Sequence, residues 1–187
     1  KLWEVTLDTF KSVDVWINNA GIGHPDQSAW EISESTVRKV IDVDLLGLVF
    51  GTQVAMRGML KQGHGQIYNM EGFGSDGAIR AGMSIYGTAK SALRYYTKAV
   101  IKETKNTPVK VGFLSPGIVI TDFITDMYRD DPAGLEKSKK IFNILGDKVE
   151  TVTPWLADKV LKNDRTGASF RWLTTGKVLG RFLTASF

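Results

Sequence analysis

Three short runs of β-prone residues, at 13–17, 66–70 and 109–114, are each closed by a loop composition and separated by long helical patterns. Residues 35–62 carry Val40, Ile41, Leu45, Val49, Val54 and Met59 at helical spacing, after the cap-like Ser33–Thr36 stretch and before the stops Gly63 and Gly65. Residues 84–103 repeat the pattern with Ala89, Ala92, Leu93, Tyr96 and Val100. Parallel strands need crossover connections, and helices of this length supply them, so the order strand, helix, strand, helix, strand predicts right-handed crossovers and a parallel α/β sheet. Around this frame, residues 2–10 read as the end of a helix. Residues 122–150 read as helical and polar, with a lid-like character, 153–162 as a helix led by Pro154, and 169–173 as a fourth strand.

The 187 residues, 43% hydrophobic, suffice for one core. The absence of cysteine excludes a disulfide framework and thiol chemistry. Two histidines, His24 and His64, are too few for a His-rich zinc site; both read as solvated loop residues, and no metal is expected. No apolar run reaches the roughly 18–20 residues of a membrane span. The first residues, Lys1-Leu2-Trp3-Glu4, lack a signal-peptide core, so a soluble cytoplasmic chain is the expectation. The net charge of +4 resides in residues 155–187, which hold Lys159, Lys162, Arg165, Arg171, Lys177 and Arg181 against Asp158 and Asp164. Such a tail can meet anionic lipid or nucleic acid, but charges this diffuse suit an ordinary solvated surface. From Thr174 to Phe187 apolar and basic residues alternate, and a packed or oligomer-facing end is expected ahead of membrane contact. Five scattered tryptophans do not form a stacking platform, so no nucleic-acid partner is expected.

The chemistry lies at the strand ends. Tyr86 and Lys90 stand at i and i+4, on one helix face. An ammonium beside a phenol favours the charged phenolate, so the spacing predicts a lowered Tyr86 pKa and a group able to exchange a proton near neutral pH. Asn18-Asn19-Ala20-Gly21 closes the first strand, and Pro116-Gly117-Ile118-Val119-Ile120-Thr121 closes the third. Open parallel sheets bind ligands outside the carboxyl ends of their strands, where all three elements fall.

Together these motifs resemble the short-chain dehydrogenase/reductase family, strongly from about Leu2 to Gly117 and loosely beyond. The resemblance implies a Rossmann-like doubly wound parallel sheet in three α/β/α layers. It implies hydride transfer between NAD or NADP, with NADP favoured, and a small-molecule carbonyl or alcohol substrate. It makes Tyr86 the acid/base and Lys90 the ribose-binding residue that tunes it. Asn18, Ala20 and Gly21 resemble the turn against the adenosine side of the cofactor. Pro116, Gly117, Val119 and Thr121 resemble the segment that holds the nicotinamide. A homodimer or homotetramer through the two long helices is also implied. The stretch from Asn69 to Gly77 resembles the loop of chlorophyll b reductase-like members.

Two positions depart from the family pattern. Asp44 stands where the family has an Asn that supports a proton relay through the Lys; ionised, it only accepts hydrogen bonds. The family Ser about thirteen positions before the Tyr is replaced by Phe73, with Ser75 nearby, either as the residue that polarises the substrate oxygen or as a turn residue. Those departures motivate a second reading, a non-catalytic relative serving as a scaffold or dimer partner. Gly72-Phe73-Gly74-Ser75-Asp76-Gly77 matches the dinucleotide fingerprint in letters, but residues 78–82 continue as loop, and the next strand has no acidic end. The family's glycine-rich first strand, loop and helix do not occur in these residues. The chain therefore reads as the C-terminal portion of one Rossmann domain, short of its first βαβαβ half by about 60 or more residues at about 30 per βαβ unit.

Overall fold

A computed structural model describes residues 1–129 and 131–185; Ser186 and Phe187, the end of the alternating tail, lie outside the described residues. Four parallel strands form the main sheet: β1 (Val15–Asn18), β2 (Gly65–Met70), β3 (Val109–Ser115) and β6 (Ser169–Arg171), in the order β1-β2-β3-β6. The order runs one way from β1, as in one wing of a doubly wound sheet. The register aligns the carboxyl ends: Asn18 lies beside Asn69, Asn69 beside Phe113, and Phe113 beside Ser169. A two-stranded ladder pairs β4 (Ile118–Val119) with β5 (Gly146–Asp147).

Alternation along β2 sets the layers, because successive side chains point to opposite faces. Ile67 packs with Trp3 of α1 (Leu2–Phe10), Ala55 and Met59 of α3 (Leu48–Gln62) and Val100 of α4 (Ser84–Glu103). Tyr68, the next residue, packs with Val152, Leu156 and Val160 of α7 (Val149–Leu161). Helices thus cover both faces, giving the three expected layers.

The elements differ from the sequence reading in three places. The long helix at 35–62 is α2 (Glu34–Ile41) and α3 joined by a π-helical turn, Asp42–Gly47. Residues 122–150 are helical in α5 (Asp122–Met127) and α6 (Pro132–Leu145), as expected, but β5 follows them. The last helix of that region begins at Val149, with Pro154 inside it; the side chains of Val152, Leu156 and Val160 seat it on the sheet despite the missing N–H. The C-terminal α8 (Thr175–Thr184) buries no side chain of its own and is fastened through one arginine. Arg181 forms a bidentate pair with Asp147 at 2.8 and 2.9 Å, and Trp172 Nε1 donates to the same carboxylate at 2.8 Å. The Arg181 guanidinium holds the Asp147 carboxyl below its ordinary range.

Candidate active site

At the carboxyl end of β1, Asn18 anchors a buried polar chain. Its Oδ1 accepts from Trp16 Nε1 at 2.8 Å, and its Nδ2 faces Thr52 Oγ1 at 2.9 Å and Asn69 Oδ1 at 2.7 Å. Asn69 donates onward to Thr97 at 2.9 Å. The Asn18 side chain is therefore occupied in joining β1 to α3 and β2, and it fixes the exit of the chain into the Asn19–Gly21 turn. Its buried partners, Thr52 and Asn69, are satisfied by these bonds, as buried polar groups must be.

That turn lies on a buried ion pair. Ile22 N–H donates to Asp44 Oδ1 at 2.8 Å, and Asp44 Oδ2 stands 3.2 Å from Lys90 Nζ. Both side chains are almost wholly buried. A Cβ on Gly21 would approach both Asp44 Oδ2 and Lys90 Nζ to 3.3 Å, so glycine lets the turn lie close to them. Asp44 sits within the π-helical turn; such single-turn bulges frequently mark functional positions.

Lys90 Nζ lies 5.5 Å from the centre of the Tyr86 ring, in keeping with one shared helix face. The predicted lowering of the phenol's pKa is not what the structure gives. Burial pushes Tyr86 up, and the Asp44 charge adds to the rise. The i, i+4 spacing reports the cation, but neither the anion beside it nor the apolar lid above. That lid is Phe123 of α5, whose ring centre lies 5.8 Å from that of Tyr86.

Gly72 lies directly against the phenol. A Cβ there would overlap Tyr86 Oη and come within 3.1 Å of Lys90 Cε. Ser75 closes this loop on itself: its Oγ accepts from Gly72 N–H at 3.1 Å, and its own N–H donates to Gly72 O at 3.1 Å. Ser75 thus seats Gly72 as an acceptor, and its hydroxyl keeps a proton to donate.

His24 corrects a second expectation. It is buried, not solvated: its Nε2 accepts from Tyr86 N–H at 3.4 Å, which assigns the proton to Nδ1, donating to Pro25 O at 2.8 Å. The first N–H groups of a helix lack intrahelical acceptors, and His24 meets one of them at the start of α4. A histidine three residues past the turn glycine was the only sequence signal for it.

The Pro116–Thr121 segment leaves β3 beside the same end of the sheet. Gly117 has φ +75°, and a Cβ on it would meet Leu173 Cβ at 2.7 Å. Val119 is held through the β4–β5 ladder. Pro116 and Thr121 bracket the segment, Thr121 preceding α5. A cavity of about 470 Å³ opens between the turn after β1, α2 and α5, lined by Gly21 to Pro25, by Lys39 and Val40 of α2, and by Phe123 and Met127. His64, by contrast, is exposed beside Asp14.

The donor set suits a nicotinamide ribose. Lys90 carries three N–H donors in a buried position, and among the described residues Asp44 is its ion-pair partner, which leaves donors for ligand hydroxyls. Gly21 adjoins that ammonium and also lines the cavity.

The family model for short chain dehydrogenases matches residues 1–132. The chain belongs to the short-chain dehydrogenase family. It is 29% identical over 186 residues to the probable chlorophyll(ide) b reductase NYC1, chloroplastic, of Oryza sativa subsp. japonica, covering 99% of this chain and 36% of that protein. It is 32% identical over 155 residues to the chlorophyll(ide) b reductase NOL, chloroplastic, of Arabidopsis thaliana, covering 80% of this chain and 43% of that protein. The chain thus spans well under half the length of these curated relatives. Among solved structures, the closed form of serine dehydrogenase complexed with NADP+ superposes with a TM-score of 0.75 at 23% identity, covering 90% of this chain and 69% of that one. That likeness places the short-chain dehydrogenase chain in the Rossmann-type fold expected from its motifs.

Proposed function

We propose that this short-chain dehydrogenase chain carries the catalytic half of an NAD(P)-dependent oxidoreductase that interconverts a carbonyl and an alcohol. The observation that carries the reading is the buried Tyr86–Lys90–Asp44 group, which borders an open cavity through Gly21, His24 and Phe123. A bound reduced nicotinamide supplies the hydride. Lys90 holds the ribose, and the Asn18–Gly21 turn and Pro116, Gly117, Val119 and Thr121 frame the rest of the group. Tyr86 Oη gives its proton to the substrate oxygen as that oxygen gains charge, and takes it back in the oxidising direction. A buried phenol that keeps its proton is suited to the donating role. Chlorophyllide b, named in the relatives, is the first carbonyl to offer.

The test is a fluorescence titration of the full-length protein with NADPH and with NADH, followed by turnover on a carbonyl panel. Saturable binding of one nucleotide and its oxidation in the presence of a carbonyl are expected. Failure to bind either leaves the second reading, a non-catalytic scaffold, which Asp44 and the displaced Ser75 motivate. A homodimer through the long helices fits the exposed stripe Leu46, Phe50, Val54 and Leu60, and sedimentation of the full-length protein checks it.

Gly72 gives a sharper check. Gly72→Ala places a methyl against the phenol, where overpacking costs about 1–3 kcal/mol. Displacing a reacting group by about 1 Å can lower turnover by about 10²-fold. The expected result is a loss of that order in kcat/KM with a folded protein by circular dichroism; unchanged kcat/KM would show that the Gly72–Tyr86 approach is irrelevant to the chemistry.

A further inference from the structure

We propose that Asp44 is a positioning residue that cancels the field of the Lys90 ammonium at Tyr86, so that carbonyl reduction persists to higher pH than an amide at position 44 would allow. The inference rests on Tyr86 being the proton donor, and goes beyond it to what sets the pH range of that donor.

The geometry makes the carboxylate's neighbours few and defined. Oδ1 is held by Ile22 N–H at 2.8 Å, which aims Oδ2 at Lys90 Nζ, 3.2 Å away. Among the described residues Oδ2 accepts no hydrogen bond, and the ammonium is the group that answers its charge. Lys90 Nζ in turn lies 5.5 Å from the Tyr86 ring centre. An isolated ammonium at that distance in a buried site strongly favours phenolate. Paired with a carboxylate it becomes a dipole, whose field at the phenol is much smaller. The negative end also acts on Tyr86 directly, and both Asp44 and burial oppose loss of the phenol's proton.

Other groups around Tyr86 do not supply this effect. His24, from the loop after β1, meets the Tyr86 backbone N–H through Nε2. Gly72, from the loop after β2, carries no charge, and its neighbour Glu71 is committed to Arg94. Phe123 faces the ring from α5. On that helix Asp122 is exposed, and Asp126 is exposed and paired with Arg129. Lys39 of α2 lines the adjoining cavity and is exposed to solvent.

A carboxylate therefore does two things that an amide would divide. It fastens the cofactor-side turn to the catalytic helix, which Asn could do through the same Ile22 contact. It also removes the net positive charge beside the phenol, which Asn could not. The substitution Asp44→Asn separates the two, since Asn can still accept from Ile22 N–H and is isosteric.

Two measurements on the full-length protein test this. The first is the pH profile of kcat/KM for carbonyl reduction with wild type and Asp44→Asn. The alkaline limb, where the phenol loses its proton, is expected to move down by about one pH unit or more in the variant. A merely structural role would change KM, kcat or Tm without moving that limb, and an unmoved limb overturns the inference. The second needs no turnover: 13C-labelled tyrosine is titrated by NMR, with the Tyr86 signal assigned from Tyr86→Phe. Its midpoint is expected to fall in Asp44→Asn; a midpoint unchanged or raised overturns the inference. If wild type reduces no carbonyl, the proposed function fails, while the NMR titration still decides what Asp44 does to Tyr86.

Discussion

Tyr86→Phe is expected to lower kcat/KM for carbonyl reduction by about 10²–10⁴-fold, the usual contribution of a positioned general acid. Cofactor affinity should stay within about threefold, since Lys90 and the flanking turns hold the nucleotide; retention within that range corresponds to less than about 0.7 kcal/mol. The variant should also fold normally. The ring keeps its packing against Phe123 at 5.8 Å, and His24 still accepts the residue-86 backbone N–H. Among the described residues no hydrogen bond holds Tyr86 Oη, so removing it strands no partner. Paired nucleotide titration and steady-state kinetics separate the two effects. Equal turnover by the variant and wild type would remove Tyr86 from the chemistry. Equal loss of binding and turnover would make it a structural residue of the nucleotide pocket.

The strands and the two long helices were legible because each is a periodic run closed by glycine, proline or a cap. Periodicity reports which face is buried, and the sheet order followed from crossover length. Residues 84–103 coincide with α4, and the motifs Asn18–Gly21, Tyr86–Lys90 and Pro116–Thr121 meet at one end of the sheet. What sequence alone could not give were distances across elements. The pair Asp44–Lys90 joins residues 46 positions apart, and burial of the phenol, with the Asp44 charge adding to it, reverses the sign argued for Tyr86 from Lys90 alone. His24 meets Tyr86 across 62 positions. A loop histidine carries no periodic signal, so its burial was invisible. The π-helical turn was hidden because one extra residue in a helix barely disturbs an apolar stripe. Pro154 misled because prolines are common at first turns, whereas here packing of α7 on the sheet outweighs one lost hydrogen bond.

Arg94→Met is expected to destabilise the fold by about 3–5 kcal/mol at neutral pH, the cost of breaking a buried ion pair from one side. Glu71, the residue after β2, is buried at the carboxyl end of the sheet, and Arg94 of α4 pairs with its Oε1. The Arg94 guanidinium also lies 5.6 Å from the Phe113 ring centre. Arg171 stands 3.8 Å from Oε2, a looser ion pair, and among the described residues Oε2 accepts no hydrogen bond, so Arg94 is the closer cation. Burial pushes the Glu71 carboxyl above its ordinary value of 4.5, and Arg94 is the strongest influence holding it down. A carboxyl raised in the folded state favours folding most when protonated, so its stability contribution falls as pH rises through the folded value. Without Arg94 the folded value rises further and the penalty grows with pH. Denaturant melts should therefore show the variant's deficit shrinking as pH falls toward 4.5. Adding Glu71→Leu removes the stranded charge and should restore most of the loss at neutral pH, because apolar replacements of both partners are often neutral. A double-mutant cycle measures the coupling. A deficit that is flat with pH and not relieved by Glu71→Leu would assign the role of Arg94 to its packing on Phe113 instead.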